Sequence, residues 1–177
     1  MQQPTQNYFQ LFGIAESFVV DLPALADRYR QLQSENHPDR FANADESERI
    51  KAVQFTSLVN QAYDTLKQPM KRAGYLLQLR GVDPEKVSQA DLGMELLMEQ
   101  MQLREALEEL PGDESALPEL EMLKKQASEK MRQREDEFSS LIAAEDIDSA
   151  RRLFHEMQFM HKLIKEIELG EEQRLGY

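Results

Sequence analysis

Helix-forming residues dominate this sequence from end to end, and that restricts the chain to helical folds. Leu, Met, Ala, Gln, Glu, Lys and Arg are frequent, whereas Val, Ile and Thr are sparse. Unbranched side chains lose little rotamer freedom in a helix, and β-branched side chains favour strands. No segment has the composition of a convincing strand. The sequence therefore predicts an all-α protein.

Apolar residues recur at helical spacing in seven segments that form two groups. The first group covers about residues 5–12, 21–37, 47–68 and 69–79, and the second about residues 91–110, 117–144 and 147–169. Val82 to Ser88, which contains an Asp-Pro pair, is typical of a linker. We therefore predict an N-terminal domain over residues 1–80, a linker over 81–88 and a C-terminal three-helix bundle over 89–177.

The second and third predicted helices each have one apolar face. The second carries Leu22, Leu25, Tyr29 and Leu32, and the third carries Ala52, Phe55, Val59, Ala62 and Leu66. Two such helices joined by a short polar loop pack as an antiparallel hairpin, which forms the predicted core of the N-terminal domain.

The charge of the chain excludes one large class of partner. With 21 Lys and Arg against 33 Asp and Glu, the net charge is −12. Nucleic acid binding depends on clustered Lys and Arg, so we expect no nucleic acid partner. Residues 1–75 hold 8 basic and 9 acidic residues, whereas residues 76–177 hold 13 and 24. The two parts should therefore offer different surfaces to different partners.

Several kinds of site are excluded because residue types are missing. The chain has no Cys, so it has no thiolate nucleophile and no Cys-based metal site. None of its three His follows a Glu by three positions, so the di-iron motif of helical bundles is absent. No phosphate-binding Gly-rich loop occurs. We therefore expect no catalytic residues, no metal and no cofactor.

The N-terminal residues lack the basic start and apolar run of a secretory signal. No stretch approaches the ~18 apolar residues that a membrane span needs. We therefore expect a cytoplasmic protein without a membrane partner.

The tripeptide His37-Pro38-Asp39 lies between the second and third predicted helices. Taken alone, it is a helix stop followed by a turn. Its context is more specific, because a short aromatic helix precedes it and Asn60-Gln61-Ala62-Tyr63 follows late in the third helix. This arrangement over residues 8–79 resembles the J-domain of DnaJ-type co-chaperones, whose His-Pro-Asp loop stimulates ATP hydrolysis by DnaK-type chaperones. The chaperone-binding residues implied by this resemblance are His37, Pro38, Asp39, Arg28 and Arg30.

The fifth predicted helix has apolar residues on two opposite faces. Its core stripe is Leu96, Gln100, Leu103, Leu107 and Leu110. The opposite face carries Met94, Leu97, Met98 and Met101, bordered by acidic residues. Phe159, in the last helix, projects roughly opposite Met157 of its core face. Two interpretations stand: these residues pack against the N-terminal domain or linker, or they form an exposed site for a basic protein partner.

A J-domain followed by a small acidic three-helix domain resembles the HscB family of co-chaperones, which act in bacterial iron–sulfur cluster assembly. Residues 97–105 are similar to the segment with which that family holds the scaffold protein IscU. The resemblance implies that the N-terminal domain stimulates the ATPase of the DnaK-type chaperone HscA while the C-terminal domain delivers IscU. The implied scaffold-binding residues are Leu97, Met98, Met101, Gln102, Glu105, Glu109 and Phe159.

Gln102 stands where this family leads us to expect an acidic residue. We expect a monomer that regulates its chaperone and is not itself an enzyme. Two alternatives remain open: a J-domain protein with a different client, and a helical adaptor in which the His-Pro-Asp tripeptide is accidental.

Overall fold

The computed structural model describes residues 6–86 and 92–176. Seven α-helices occur in them: α1 (Tyr8–Phe12), α2 (Leu22–Asn36), α3 (Glu46–Lys67), α4 (Pro69–Leu79), α5 (Met94–Glu108), α6 (Leu117–Ala143) and α7 (Ile147–Leu175). Short 3-10 helices cover Pro38–Phe41 and Glu114–Ala116. Since no strand occurs in these two ranges, the predicted all-α class is confirmed. The chain divides into two compact units, Met1–Leu76 and Leu77–Tyr177.

Most predicted helix bounds agree with the structure, but two predicted helix starts and one bound of the predicted linker lie outside the described residues. These are the predicted starts of the first helix at Thr5 and the fifth at Asp91, and the end of the predicted linker at Ser88. The loop after α2, predicted as a short polar loop, contains a 3-10 helix. No helix in the described residues is long and apolar enough to cross a membrane.

The last helix runs beyond its predicted end at residue 169 and stops at Leu175. Gly170 would favour a helix end in isolation, yet here it lies inside α7. Arg174 stabilises this last turn, because its Nη1 donates to the carbonyl oxygen of Gly170 at 2.9 Å. Its Nε and Nη2 donate to the carbonyl oxygen of Pro111 at 2.9 and 2.7 Å. The helix is instead capped by Gly176, whose φ of 79° is left-handed.

The first unit is built on the hairpin of α2 and α3. Asp21 and Asp45 cap the two helices by accepting from main-chain N–H groups in their first turns. Leu25 and Leu32 of α2 are buried, as predicted. The buried residues of α3 are Ala52, Val59, Ala62 and Leu66.

Three members of the predicted core, Leu22, Tyr29 and Phe55, are not fully buried. Leu22 is 45% exposed, so its placement in the core was wrong. It is the first residue of α2, where a side chain tilts back past the end of the helix. Tyr29 is half-buried because its ring stacks on that of Tyr63, with centroids 4.0 Å apart. Its hydroxyl donates to Oδ1 of Asn60 at 2.6 Å.

A buried arginine, which the sequence analysis did not identify, links three segments of this unit. Arg72 of α4 donates from Nε to the carbonyl oxygen of Phe18 at 2.6 Å. Its Nη1 donates to the carbonyl oxygen of Leu66 at 2.7 Å. The guanidinium also lies 4.9 Å from the centre of the Phe18 ring. One side chain therefore joins α4 to the end of α3 and to the loop before α2.

In the second unit, α6 and α7 pack extensively against each other, whereas α5 packs less extensively against them. On the face of α7 that includes Met157, the buried residues are Ala150, Leu153, Met157 and Met160, and Ile164 is partly exposed. On α5 only Leu96 is fully buried among the described residues. Leu103, Leu107 and the other predicted core residues of α5 remain partly exposed.

Candidate functional site

The His-Pro-Asp loop presents two polar side chains side by side. His37 caps the 3-10 helix, and its Nδ1 accepts a hydrogen bond of 3.2 Å from the main-chain N–H of Asp39. The side chains of His37 and Asp39 are 58% and 92% exposed. With Nδ1 used as acceptor, the neutral imidazole carries its proton on Nε2 and offers a donor there. Pro38 lies at the start of this turn, where its missing N–H costs no hydrogen bond.

The base of this loop is fixed to α3. The hydroxyl of Thr56 donates to the carbonyl oxygen of Asn36, the last residue of α2, at 3.2 Å. The side-chain amide of Asn36 in turn donates to the carbonyl oxygen of Leu32 at 3.0 Å. Helix ends leave the last four main-chain carbonyls without helical partners, and the bond from Thr56 satisfies one of these, the carbonyl of Asn36. The loop therefore leaves the hairpin in a defined direction.

The exposed surface of α2 carries acidic residues as well as its two arginines, so it is not strongly basic. Arg30 forms an ion pair with Asp27 of the same helix. Arg28 is partly exposed one turn from the Gln31–Glu35 hydrogen bond of 2.9 Å. A partner meeting this face would encounter alternating charges rather than a uniform basic surface.

An exposed apolar stripe runs along the outward face of α5. Met98 and Met101 are 54% and 70% exposed, and Met94 and Leu97 are exposed beside them. Gln102, Glu105 and Glu109 are exposed on the same side of the helix. We call these residues the α5 stripe: Met94, Leu97, Met98, Met101, Gln102, Glu105 and Glu109. Soluble proteins rarely expose contiguous apolar residues, and such a patch with a polar rim is typical of a protein interaction site.

Phe159 lies at the seam between α7 and α5. It is half-buried, and Cζ of Arg104 lies 5.7 Å from the centre of its ring. Arg104 comes from α5 and binds Glu166 of α7 through two hydrogen bonds of 3.0 and 3.2 Å. Phe159 of α7 is thus next to Arg104 of α5, the residue that precedes Glu105 of the α5 stripe.

A second ionic cluster attaches the other side of α5. Arg134 of α6 donates from Nη2 to both carboxylate oxygens of Glu99, at 3.0 and 3.1 Å. Its Nε donates to Glu156 of α7 at 3.0 Å. Lys130 lies 3.2 Å from Glu99. The partners in these three pairs lie 22 to 35 positions apart in the chain, and the sequence analysis missed them.

No group of three His, Asp or Glu side chains in residues 6–86 and 92–176 is placed to bind a metal ion. The two surfaces described above are the His-Pro-Asp loop and the α5 stripe with Phe159. Both present side chains suited to contact another protein.

Known proteins resemble this chain over nearly its whole length. Residues 92–168 match the family described as HSCB C-terminal oligomerisation domain. The chain is 38% identical over 166 residues to a co-chaperone protein HscB homolog of Aeromonas salmonicida, which covers 94% of this chain and 96% of the relative. A homolog from Shewanella loihica is also 38% identical, over 169 residues, covering 94% of this chain and 98% of the relative.

Solved structures agree with these relatives. The chaperone HscB from Vibrio cholerae superposes with a TM-score of 0.83 at 35% identity, covering 95% of this chain and 99% of that one. The human co-chaperone HscB superposes with a TM-score of 0.84 at 30% identity, covering 94% of this chain and 83% of that one. The similarity therefore includes both compact units and the order in which they occur.

Proposed function

This chain belongs to the HscB family of co-chaperones, and from that membership we propose that it serves iron–sulfur cluster assembly in the cytoplasm. In this role it brings the scaffold protein IscU to the DnaK-type chaperone HscA and raises the ATPase rate of that chaperone. It regulates the chaperone's reaction and supplies no catalytic group of its own.

The His-Pro-Asp loop is the element through which the chain acts on HscA. Its exposed imidazole and carboxylate offer a donor and an acceptor within one turn of main chain. An exposed carboxylate suits a partner arginine or main-chain amide, and such charge-assisted bonds are the stronger ones. Because Thr56 anchors the base of the loop, little ordering entropy is lost when HscA binds. Arg28 and Arg30 extend the contact along α2.

The α5 stripe with Phe159 is the surface that holds IscU, and its exposure is the single observation that carries the proposal. Met98 and Met101 are exposed to water, although the burial of apolar side chains is energetically favourable. Methionine adapts to the shape of a partner because it is unbranched and polarizable. Glu105 and Glu109 border the apolar residues, so the complementary surface of the partner is basic.

Binding both proteins at once raises the effective concentration of client at the chaperone. A chain that holds IscU on one unit and HscA on the other turns their encounter into an intramolecular event. This effect needs no new contact between IscU and HscA.

We propose that the protein performs this role as a monomer. A second copy covering the α5 stripe would bring two acidic borders together, and the part of the chain after residue 75 has 13 basic against 24 acidic residues. Like charges placed opposite each other oppose association. Sedimentation velocity at low and high protein concentration measures this directly, and a concentration-dependent dimer would contradict it.

The ATPase rate of HscA tests the whole proposal. The rate is measured for HscA alone, with this chain, with IscU, and with both. We expect the chain to raise the rate by itself and IscU to raise it further in its presence. A chain without any effect on HscA would contradict the J-domain role. Stimulation of HscA without a detectable complex with IscU would mean that the chain serves a different client.

A further inference from the structure

Arg104 occupies the boundary between the α5 stripe and Phe159. It follows Leu97 by seven residues, which places it two turns later on nearly the same side of α5, ~20° away on a helical wheel. Phe159 and Glu166 are likewise seven residues apart on α7, roughly 10 Å along the helix axis. The guanidinium of Arg104 reaches both of them, with Glu166 at 3.0 and 3.2 Å and the ring centre of Phe159 at 5.7 Å.

This geometry restricts the guanidinium more than an ordinary ion pair would. Two parallel hydrogen bonds to one carboxylate fix the plane of the arginine fork. The positive group then lies near the aromatic ring of Phe159, where the quadrupole of the ring attracts it. A lysine has no planar fork and cannot make both contacts in the same way.

Stability alone does not account for the arrangement. The side chains of Arg104 and Glu166 remain 39% and 33% exposed, and ion pairs with that much exposure contribute little to folding. A direct charge contact between Arg104 and the partner does not account for it either. The charge of Arg104 is already engaged by Glu166, and the acidic border of the stripe indicates a basic partner.

We propose that Arg104 is a positioning residue for scaffold binding: it holds the Phe159 ring beside the α5 stripe so that two helices present one continuous surface. This inference rests on the proposed function, because it assumes that the stripe and Phe159 bind IscU together. Glu166 contributes by fixing Arg104. Neither residue needs to contact the partner.

The test compares Arg104→Lys, which keeps the charge, with Arg132→Gln as a control that removes an ion-paired arginine elsewhere in the same unit. Arg132 also forms a two-bond pair with a carboxylate, that of Glu129, but both residues lie on α6 and are exposed. The dissociation constant for IscU is measured by calorimetry for each full-length variant. We expect Arg104→Lys to raise the dissociation constant roughly five- to tenfold, a change within the range of coupling energies between residues in contact. Arg132→Gln should leave the dissociation constant unchanged.

A double-mutant cycle with Phe159→Leu separates positioning from direct contact. If Arg104 acts through Phe159, the Arg104→Lys change should alter the dissociation constant by less than about twofold once the ring is absent. Equal losses with and without the ring would overturn the proposal, as would an Arg104→Lys variant that binds like the wild type. Thermal unfolding of each variant verifies that it is folded.

A second readout does not require the partner. The ring resonances of Phe159, identified by their loss in Phe159→Leu, are recorded by NMR in the free chain. They should shift in Arg104→Lys and stay in place in Arg132→Gln, and unmoved resonances in both would overturn the positioning role. If the wild type does not bind IscU at all, the proposed function fails, and the role of Arg104 in scaffold binding fails with it. Wild-type binding with an unaffected Arg104→Lys variant refutes the positioning role alone.

Discussion

The hydroxyl of Thr56, in the middle of α3, donates a hydrogen bond of 3.2 Å to the main-chain carbonyl of Asn36 at the end of α2. Thr56→Val keeps the shape of the side chain but removes the donor, so the carbonyl loses this partner. We expect the free energy of unfolding to fall by about 1 kcal/mol. Because the bond lies at the base of the His-Pro-Asp loop, stimulation of the HscA ATPase should also fall.

Urea unfolding and the HscA ATPase assay measure these two effects. Ser57→Ala is the control, since Ser57 is the next residue of the same helix and is exposed. If Thr56→Val and Ser57→Ala stimulate HscA equally well, the bond to Asn36 does not position the loop.

His37→Gln should separate the two proposed activities. The side chain of His37 is 58% exposed and lies at the centre of the proposed HscA contact. Residues at the centre of an interface often contribute about 2 kcal/mol or more. We therefore expect the concentration for half-maximal stimulation of HscA to rise at least about tenfold. Affinity for IscU should not change, because the α5 stripe belongs to the other compact unit.

Asn43→Ala, at an exposed position of the same loop, is the control for this experiment. A His37→Gln variant that stimulates HscA as well as the control does would support an adaptor in which the tripeptide is accidental.

The sequence predicted the helices well because helical periodicity is a local property. Leu25 and Leu32 repeat on one face of α2, Val59 and Leu66 repeat on one face of α3, and all four are buried. The α5 stripe was visible for the same reason, since a helix with apolar residues on both sides is conspicuous in a small bundle.

The contacts of long polar side chains could not be predicted in this way. Arg72 bonds to the carbonyl of Phe18, 54 residues away, and Arg104 pairs with Glu166, 62 residues away. Periodicity gives the face on which an arginine lies but not the group that its flexible side chain reaches. Gly170 shows the same limit, because its place inside α7 depends on Arg174 bonding to Pro111.

Replacing both methionines at the centre of the α5 stripe should weaken IscU binding. Met98→Ala with Met101→Ala removes most of the apolar surface that these side chains would bury in a complex. We expect a loss of about 2 kcal/mol, or roughly thirtyfold in the dissociation constant. Alanine is the best helix former, so α5 itself should remain intact.

Met122→Ala is the control, because Met122 is 61% exposed on α6 and lies outside the stripe. Calorimetric titration with IscU gives the comparison. Unchanged affinity in the double variant would refute the scaffold-binding site while leaving the J-domain role intact.

Gln102 is the one uncharged polar residue of the α5 stripe, and Gln102→Glu should strengthen its electrostatic attraction to a basic partner. Added charge of the right sign accelerates association, and salt screens this effect. We expect the association rate constant for IscU to rise about twofold at low ionic strength, with a steeper decline as salt is added.

Stopped-flow measurements between low and high salt test this prediction, with Gln126→Glu as a control that adds the same charge on an exposed position of α6. A wild-type association rate that does not depend on salt would contradict electrostatic steering.

Arg72 offers the sharpest test of how the first unit is stabilised. Arg72→Met keeps much of the apolar stem but removes the donors to the carbonyls of Phe18 and Leu66, which lie in a buried region. A buried acceptor that loses a charged donor is costly, so we expect about 3 kcal/mol of destabilisation.

The chain has no Trp, and four of its five Tyr lie within residues 8–75, so tyrosine fluorescence reports on this unit. Arg49→Met, at an exposed position of α3, should cost far less. Equal urea midpoints for the two variants would show that the buried bonds of Arg72 do not stabilise the unit.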